Sequence, residues 1–234
     1  MKDALRLYVP QSNLGESFDL NQGQQKHLRV LRLSSGDRCE VFDGRGRLCE
    51  GILKIEKRTA TILIDKLIRE EEQENQLTIA VAPTKNVARF EWLIEKTTEL
   101  GVCKIIPFVS AHSERTNLNS ERLERVVESA AGQSKELWLP EISALSSFEQ
   151  ILTEDYSERW IAHCQEDIER ISLETAFSVK GDHIILIGPE GDFSKEEILE
   201  AQKIGFQSIS LGKKRLRTET AAMAVALAYS IFNS

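Results

Sequence analysis

The sequence predicts an α/β domain with a buried parallel sheet, preceded by a small all-β domain, on three observations. Residues 184–187, Ile-Ile-Leu-Ile, are continuously apolar and mostly β-branched and stop at Gly188-Pro189, as a central strand covered on both faces does. From Leu77 onward, strand-like apolar runs alternate with helical periodicity, the pattern of a layered α/β sheet. Residues 1–69 instead carry short strand-like runs joined by tight turns, which suggests a small β-barrel rather than an open sheet, because closure removes exposed edges.

In chain order, residues 5–9 alternate in polarity and stop at Pro10, a first strand. Residues 24–33 have helical spacing that turns Leu28, Val30 and Leu31 inward and Lys26, Arg29 and Arg32 outward. A strand fits residues 36–42, and Asp43-Gly44-Arg45-Gly46 supplies a hairpin turn with glycines where positive φ is needed. Two more strands fit 48–55 and 59–64, joined at Lys57-Arg58. Residues 70–76, Glu-Glu-Glu-Gln-Glu-Asn-Gln, have nothing to bury and are expected as the linker between a domain 1–69 and a domain 77–234. The second domain opens with a strand over 77–82. A helix over 88–100 follows, with Phe90, Leu93, Ile94 and Thr97 on one face and Gly101 as its stop, then a strand over 104–109. Residues 123–137 read as a long amphipathic helix, and 160–164 as a strand with His163 at its end. Residues 165–181 are acidic and yield no element. After the central strand, Ser194 and Glu197 form a capping box for the next helix. A strand near 208–211 precedes an Ala-rich helix over 218–231, apolar on nearly every side and therefore expected to be buried.

A chain of 234 residues, 41% hydrophobic and 29% charged, has ample length for a core in one large or two small domains. No apolar run approaches the ~20 residues of a membrane span, and Met1-Lys2-Asp3-Ala4 opens no apolar signal segment, so a cytoplasmic location is expected. Cys39, Cys49, Cys103 and Cys164 are scattered with no neighbouring His at ligand spacing, which predicts buried reduced thiols and neither a disulfide framework nor a metal site. The net charge of −7 would argue against a polyanionic partner if it were evenly spread. It is not: residues 1–69 hold 13 Lys and Arg against 9 Asp and Glu, whereas residues 70–234 hold 17 against 28. The first domain is therefore the expected contact surface for nucleic-acid phosphates.

Two glycine-bearing loops follow the strands near 184–187 and 208–211: Gly188-Pro189-Glu190-Gly191-Asp192 and Gly212-Lys213-Lys214-Arg215-Leu216-Arg217. Loops at the carboxyl ends of neighbouring strands make the usual ligand crevice of an open α/β sheet. Glycine there admits unusual backbone angles and lets a ligand approach the main chain; the plain alternative is two ordinary strand-to-helix turns. Neither G-x-G-x-x-G nor a Walker lysine motif is present, which argues against dinucleotides and nucleoside triphosphates.

The words Ile187-Gly188-Pro189-Glu190-Gly191 and Leu216-Arg217-Thr218-Glu219-Thr220-Ala221 closely resemble the paired signatures of the RsmE-type 16S ribosomal RNA uridine-N3 methyltransferases, a branch of the SPOUT superfamily. His27-Leu28-Arg29-Val30-Leu31-Arg32 and Ser113-Glu114-Arg115 resemble further motifs of that family. The resemblance implies a knotted α/β domain of the SPOUT type that binds S-adenosylmethionine and requires no metal, preceded by a PUA-like RNA-binding β-barrel. The partners it implies are 16S rRNA or the small ribosomal subunit, and a second copy of the chain in a homodimer. It implies cofactor contacts at Ile187, Gly188, Pro189, Gly191, Leu211, Gly212, Leu216 and Thr218, with His163 either closing over the cofactor or satisfied by backbone. Arg217 is implied as the catalytic cation beside the base; Glu219 orients that arginine, accepts the proton, or serves only the helix dipole. RNA contacts are implied for Arg6, Lys26, Arg29, Arg32, Lys85 and Arg115.

The chain departs from the family at Asp192, where many relatives have Gly, and at Lys213-Lys214-Arg215, where many have Pro-Arg and an aliphatic residue. It also lacks their Arg-Asn segment after Ser134, and Trp138 in that stretch is expected to pack on a partner subunit. Two further readings stay open: ribose 2′-O methylation on the same fold, and a ribosome-assembly factor that binds RNA without catalysis.

Overall fold

A computed structural model describes residues 5–57, 59–73, 77–178 and 181–233, in two units. The first comprises Met1–Gln73 with Ala131–Leu139. Its elements are β1 (Arg6–Tyr8), β2 (Ser17–Asp19), α1 (Gln22–Val30), β3 (Arg38–Phe42), β4 (Arg47–Ile55) and β5 (Ala60–Glu70). They form one sheet in the order β1-β3-β4-β5-β2, with β1 parallel to β3 and the other pairs antiparallel. The expected hairpin turn forms for the expected reason: Gly44 and Gly46 take φ of 74° and 93°, and Asp43 Oδ1 accepts the N–H groups of Arg45 at 2.7 Å and Arg47 at 3.1 Å. Leu7, Leu28, Val41, Leu53, Ile62 and Ile64 are among the residues that fill the core. β5 runs on through Glu70 into the polar stretch expected as linker, whose residues 74–76, like Arg58 of the expected Lys57-Arg58 turn, lie outside the described residues.

Two expectations fail in this unit. Val30 and Leu31 do not face inward; they are 71% and 42% exposed, because α1 ends at Val30 and Leu31 is already its C-cap. Trp138 does not await a partner subunit. Residues 131–139 belong to this unit, where Trp138, Tyr8 and Leu139 pack on the buried cluster of Phe42, Leu48, Ala131 and Leu137.

The second unit comprises Glu74–Ala130 and Pro140–Ser234. It contains β6 (Leu77–Val81), α2 (Val87–Glu99), β7 (Lys104–Val109), all of α3 (Ser120–Ser134) but the last turn, β8 (Glu141–Ile142), β9 (Ser146–Ser147) and α4 (Phe148–Leu152). Then come β10 (Glu158–Ala162), β11 (Ile171–Ser172), α5 (Leu173–Phe177), β12 (His183–Ile187), α6 (Lys195–Lys203), β13 (Gln207–Ser210) and α7 (Thr218–Phe232). The strand order is β11-β13-β10-β12-β6-β7-β8, with β9 also on β7, and every pairing is parallel. β12 is central and every one of its residues is buried, as its apolar run requires. β10 lies between β12 and β13, so the carboxyl ends of three adjacent parallel strands open on one edge of the sheet. That adjacency creates the site.

The Ser194–Glu197 capping box forms in both directions and starts α6. Just before it, the buried Phe193 ring packs on Phe108 and Phe148 at centroid distances of 6.1 and 5.9 Å, anchoring the loop to the core. α3 ends at Ser134 rather than 137, with Lys135 in the left-handed region at φ 66°. α7 is not buried all round: Ala222, Val225 and Tyr229 are buried, but Leu227, Ile231 and Phe232 are 45%, 62% and 48% exposed. Cys39 and Cys49 are buried thiols and Cys103 is half-buried, whereas Cys164, expected inside a strand, is exposed just past the end of β10. Among the described residues no helix is long and apolar enough to cross a membrane.

Candidate functional site

A cavity of about 290 Å³ opens where the loops after β10, β12 and β13 meet, at the lower end of the volumes that hold small organic ligands. It is lined by His163, Ile187, Gly188, Pro189, Leu211, Gly212, Leu216, Arg217 and Thr218 of the residues expected from sequence. Gly191 and Glu219 are not among its lining. The two signature segments are tied directly: the buried Thr218 hydroxyl donates to the Gly188 carbonyl at 2.9 Å, a bond contributing about 1 kcal/mol.

The glycines act differently from expectation. Neither Gly188 nor Gly191 takes positive φ; the left-handed residue of this loop is Asp192 at 66°. A Cβ on Gly188 would sit 3.0 Å from the Phe193 ring, and one on Gly191 would sit 2.9 Å from His112 Cβ. These glycines let the loop lie close on its own supports. Gly212 is the residue with the unusual backbone, at φ 112°, and the direction a Cβ would take there is open space. Asp192, in a conformation Gly would adopt freely, uses its carboxylate as a strut: Oδ2 accepts the Cys164 N–H at 2.9 Å and Oδ1 its neighbour Phe193 N–H at 2.9 Å. The loops after β10 and β12 are thereby joined.

His163 is 5% exposed. Its Nδ1 accepts the Gln165 N–H at 3.2 Å, which puts the proton of the neutral ring on Nε2, and Nε2 is buried with no partner. Burial pushes the imidazole pKa down, with Asp192 opposing and Arg170 reinforcing that direction, so the ring is neutral at pH 7. His163 lines the cavity, and a buried N–H without a partner is a donor for a ligand that reaches it. With apolar Ile187, Leu211 and Leu216, accessible backbone at Gly212 and this donor, the cavity fits a mixed polar and apolar molecule such as S-adenosylmethionine.

A family model described as an RNA methyltransferase domain matches residues 71–230. The chain belongs to the RNA methyltransferase family. A second model, an RNA methyltransferase PUA domain, matches residues 20–65. The curated Ribosomal RNA small subunit methyltransferase E of Rickettsia conorii is 31% identical over 225 residues, 93% of this chain and 91% of that one. The protein of the same name from Mesomycoplasma hyopneumoniae is 34% identical over 217 residues, 88% and 90% of the two chains. Among solved structures, a Ribosomal RNA small subunit methyltransferase E from Neisseria gonorrhoeae, bound to S-adenosyl methionine, has a TM-score of 0.79 at 28% identity and covers 96% of both chains.

The methyltransferase domain places the remaining expected residues unevenly. Arg217 is exposed at the N-cap of α7 and lines the cavity; its carbonyl accepts the Ala221 N–H at 2.8 Å, while its guanidinium makes no hydrogen bond or ion pair among the described residues. Glu219 is turned elsewhere: it is 8% exposed, lies 3.7 Å from Arg89 Nε through Oε1, and has no partner at Oε2. Its place in the first turn of α7 suits the helix dipole, and the structure gives it no contact with Arg217. Arg115 directs its guanidinium to the carbonyls of Thr84 at 3.2 Å and Lys85 at 2.8 Å, pinning a loop. Lys85 is exposed and pairs with Glu114 at 2.7 Å, which raises its pKa, and its backbone N–H reaches Glu190 Oε1 at 3.1 Å.

In the PUA-like unit, Lys26, Arg29 and Arg32 are exposed along and just past α1, as expected. Arg6 is not available to RNA. Its side chain is 5% exposed, bound to Glu40 at 2.7 Å, and donates to the Lys135 carbonyl. Strand alternation does turn Arg6 away from the Leu7 face, but residues 131–139 cover that side, which local sequence could not show. The cavity residues that sequence reasoning missed include Arg170, Glu190, Asp192, Lys214 and Arg215. Arg170 stands just before β11 and α5, of two and five residues, too short to display a period.

Proposed function

We propose that the protein transfers a methyl group from S-adenosylmethionine to N3 of a uridine in small-subunit ribosomal RNA. The observation that carries this reading is the joining of the two signature loops around one cavity with Arg217 at its wall. Bound S-adenosylmethionine supplies a methyl group already activated on a sulfonium. Ile187, Leu211 and Leu216 give it apolar walls, Gly188 and Gly212 give backbone contacts, and His163 Nε2–H gives a donor.

Uracil N3 is a poor nucleophile until its imide proton leaves. A cation within ~4–6 Å lowers the pKa of an acid by about 1–3, and in this reading the Arg217 guanidinium, which lines the cavity and has no side-chain partner among the described residues, takes that role. Alignment and this electrostatic help are the protein's main contribution. The proton passes to water, since Glu219 is turned to Arg89.

The reading assigns RNA capture to a domain of residues 1–69, through Lys26, Arg29 and Arg32, and methyl transfer to residues 77–234, with 70–76 between them. It includes a cytoplasmic location and a SPOUT-type knot, in which α7, packed on α2, α5, β6 and β12, would be the threaded segment. It also includes a homodimer. Leu227 and Ile231 on α7 and Val87 and Trp92 on α2, two helices that pack together, are exposed apolar residues suited to a second copy.

The test is incubation of the purified protein with labelled S-adenosylmethionine and small subunits from a strain lacking the activity, followed by nucleoside mass spectrometry. The expected product is N3-methyluridine. A ribose-methylated product, or none, overturns the reading.

A further inference from the structure

Arg170 lies in the acidic segment after β10 and lines the cavity. Its Nη1 donates to the His163 carbonyl at 2.7 Å, which fixes the guanidinium beside the imidazole whose Nε2–H is unpaired. The side chain is half-buried, and no carboxylate forms an ion pair with it among the described residues. A partly desolvated guanidinium without an anion is under-compensated, and its remaining N–H groups form a fork suited to a carboxylate.

Among the cations that line the cavity Arg170 is the half-buried one; Lys214, Arg215 and Arg217 are exposed, and Arg217 is assigned to the base in the reading above. The Asp192 carboxylate is held by two backbone N–H groups, and Glu190 accepts the Lys85 N–H. Arg215 Nη2 donates to the Glu190 carbonyl at 3.5 Å. Arg170 and His163 thus present a preorganised pair of donors, one cationic and one neutral, from the same stretch of chain. S-adenosylmethionine carries one anionic group, its amino-acid carboxylate.

We propose that Arg170, together with His163 Nε2–H, binds the carboxylate of the methionine moiety, and so selects ligands that keep that group. The inference rests on the cofactor reading above and goes beyond it by assigning one end of the ligand to one end of the cavity. It leaves the ring end for the loops of Gly188 and Gly212.

Calorimetric titration of S-adenosylmethionine, S-adenosylhomocysteine and decarboxylated S-adenosylmethionine into the wild-type chain, Arg170→Met and Arg170→Lys tests it. The wild type is expected to prefer the two carboxylates over the decarboxylated ligand. Arg170→Met should weaken both carboxylates by about 10- to 100-fold, the range of a charge-assisted hydrogen bond, and leave the decarboxylated ligand within about twofold. Arg170→Lys should retain part of the preference, since it keeps the charge and loses the fork. Equal weakening of all three ligands by Arg170→Met would mean that the side chain only supports the His163 loop, and overturns the proposal. Unchanged binding of all three overturns it as well. If the wild type binds none of them, the cofactor reading itself fails, an outcome separate from either of these.

Discussion

Arg217 occupies the N-cap of α7 yet makes no side-chain cap bond, which leaves its guanidinium free to face whatever enters the cavity. Few helices use their first position this way, since a capping Ser, Thr, Asp or Asn there contributes about 1 kcal/mol. Arg217→Ala should therefore lower the methylation rate by about 10²- to 10³-fold, the usual effect of removing one group that stabilises a developing anion. Cofactor affinity, measured by calorimetry, should stay within about threefold, because Gly188, Gly212 and His163 are untouched. A rate within a factor of a few of wild type would remove Arg217 from the chemistry. At this scale the sequence was only partly readable. Arg217 and Thr218 of the second signature word line the cavity, as does Gly212 before it, but Glu219, adjacent in sequence to Thr218, points to Arg89 because one helical step rotates a side chain by about 100°. Arg6 shows the same limit: alternation gives its side of the strand, not what covers that side.

At the scale of elements, the loops do what their flanking structure permits. β12 and the capping box of α6 were legible because both are local patterns, an apolar run and a four-residue word. The neighbours of β12 were not, since β10 arrives beside it from an earlier part of the chain and brings His163, Cys164 and, a few residues on, Arg170. α1 was legible as a helix but the exposure of Val30 and Leu31 at its end was not, while its basic residues form a cationic strip on the PUA-like unit. Replacing Lys26, Arg29 and Arg32 together by Ala should weaken RNA binding and flatten its salt dependence. For single-stranded RNA, each phosphate left unneutralised reduces the slope of log K against log salt by about 0.7, or about 2 for three such phosphates. Binding isotherms at several salt concentrations give that slope, and an unchanged value would assign RNA capture to another surface.

At the scale of the whole molecule, the exposed apolar stripe on α7 sets the expected assembly. Ile231 at 62% exposure and Leu227 at 45% are four residues apart on one face. The Ala-rich sequence of α7 reads as buried on every side, and a second copy of the chain would make that true in solution. Ile231→Asp should convert a dimer to a monomer by light scattering while the circular dichroism spectrum stays unchanged, because a side chain this exposed adds little to the core of its own chain. A wild-type protein that is monomeric at micromolar concentration would sink the dimer.

The barrel-side unit is not a contiguous piece of chain. It takes in Ala131–Leu139, and Ala131 and Leu137 complete the cluster around Phe42 and Leu48. During vectorial synthesis the amino-terminal module must therefore wait, its strands laid down but one wall missing, until the polypeptide has grown past residue 139. What is translated first is finished late, and a fragment cut at the apparent linker would emerge with an open flank.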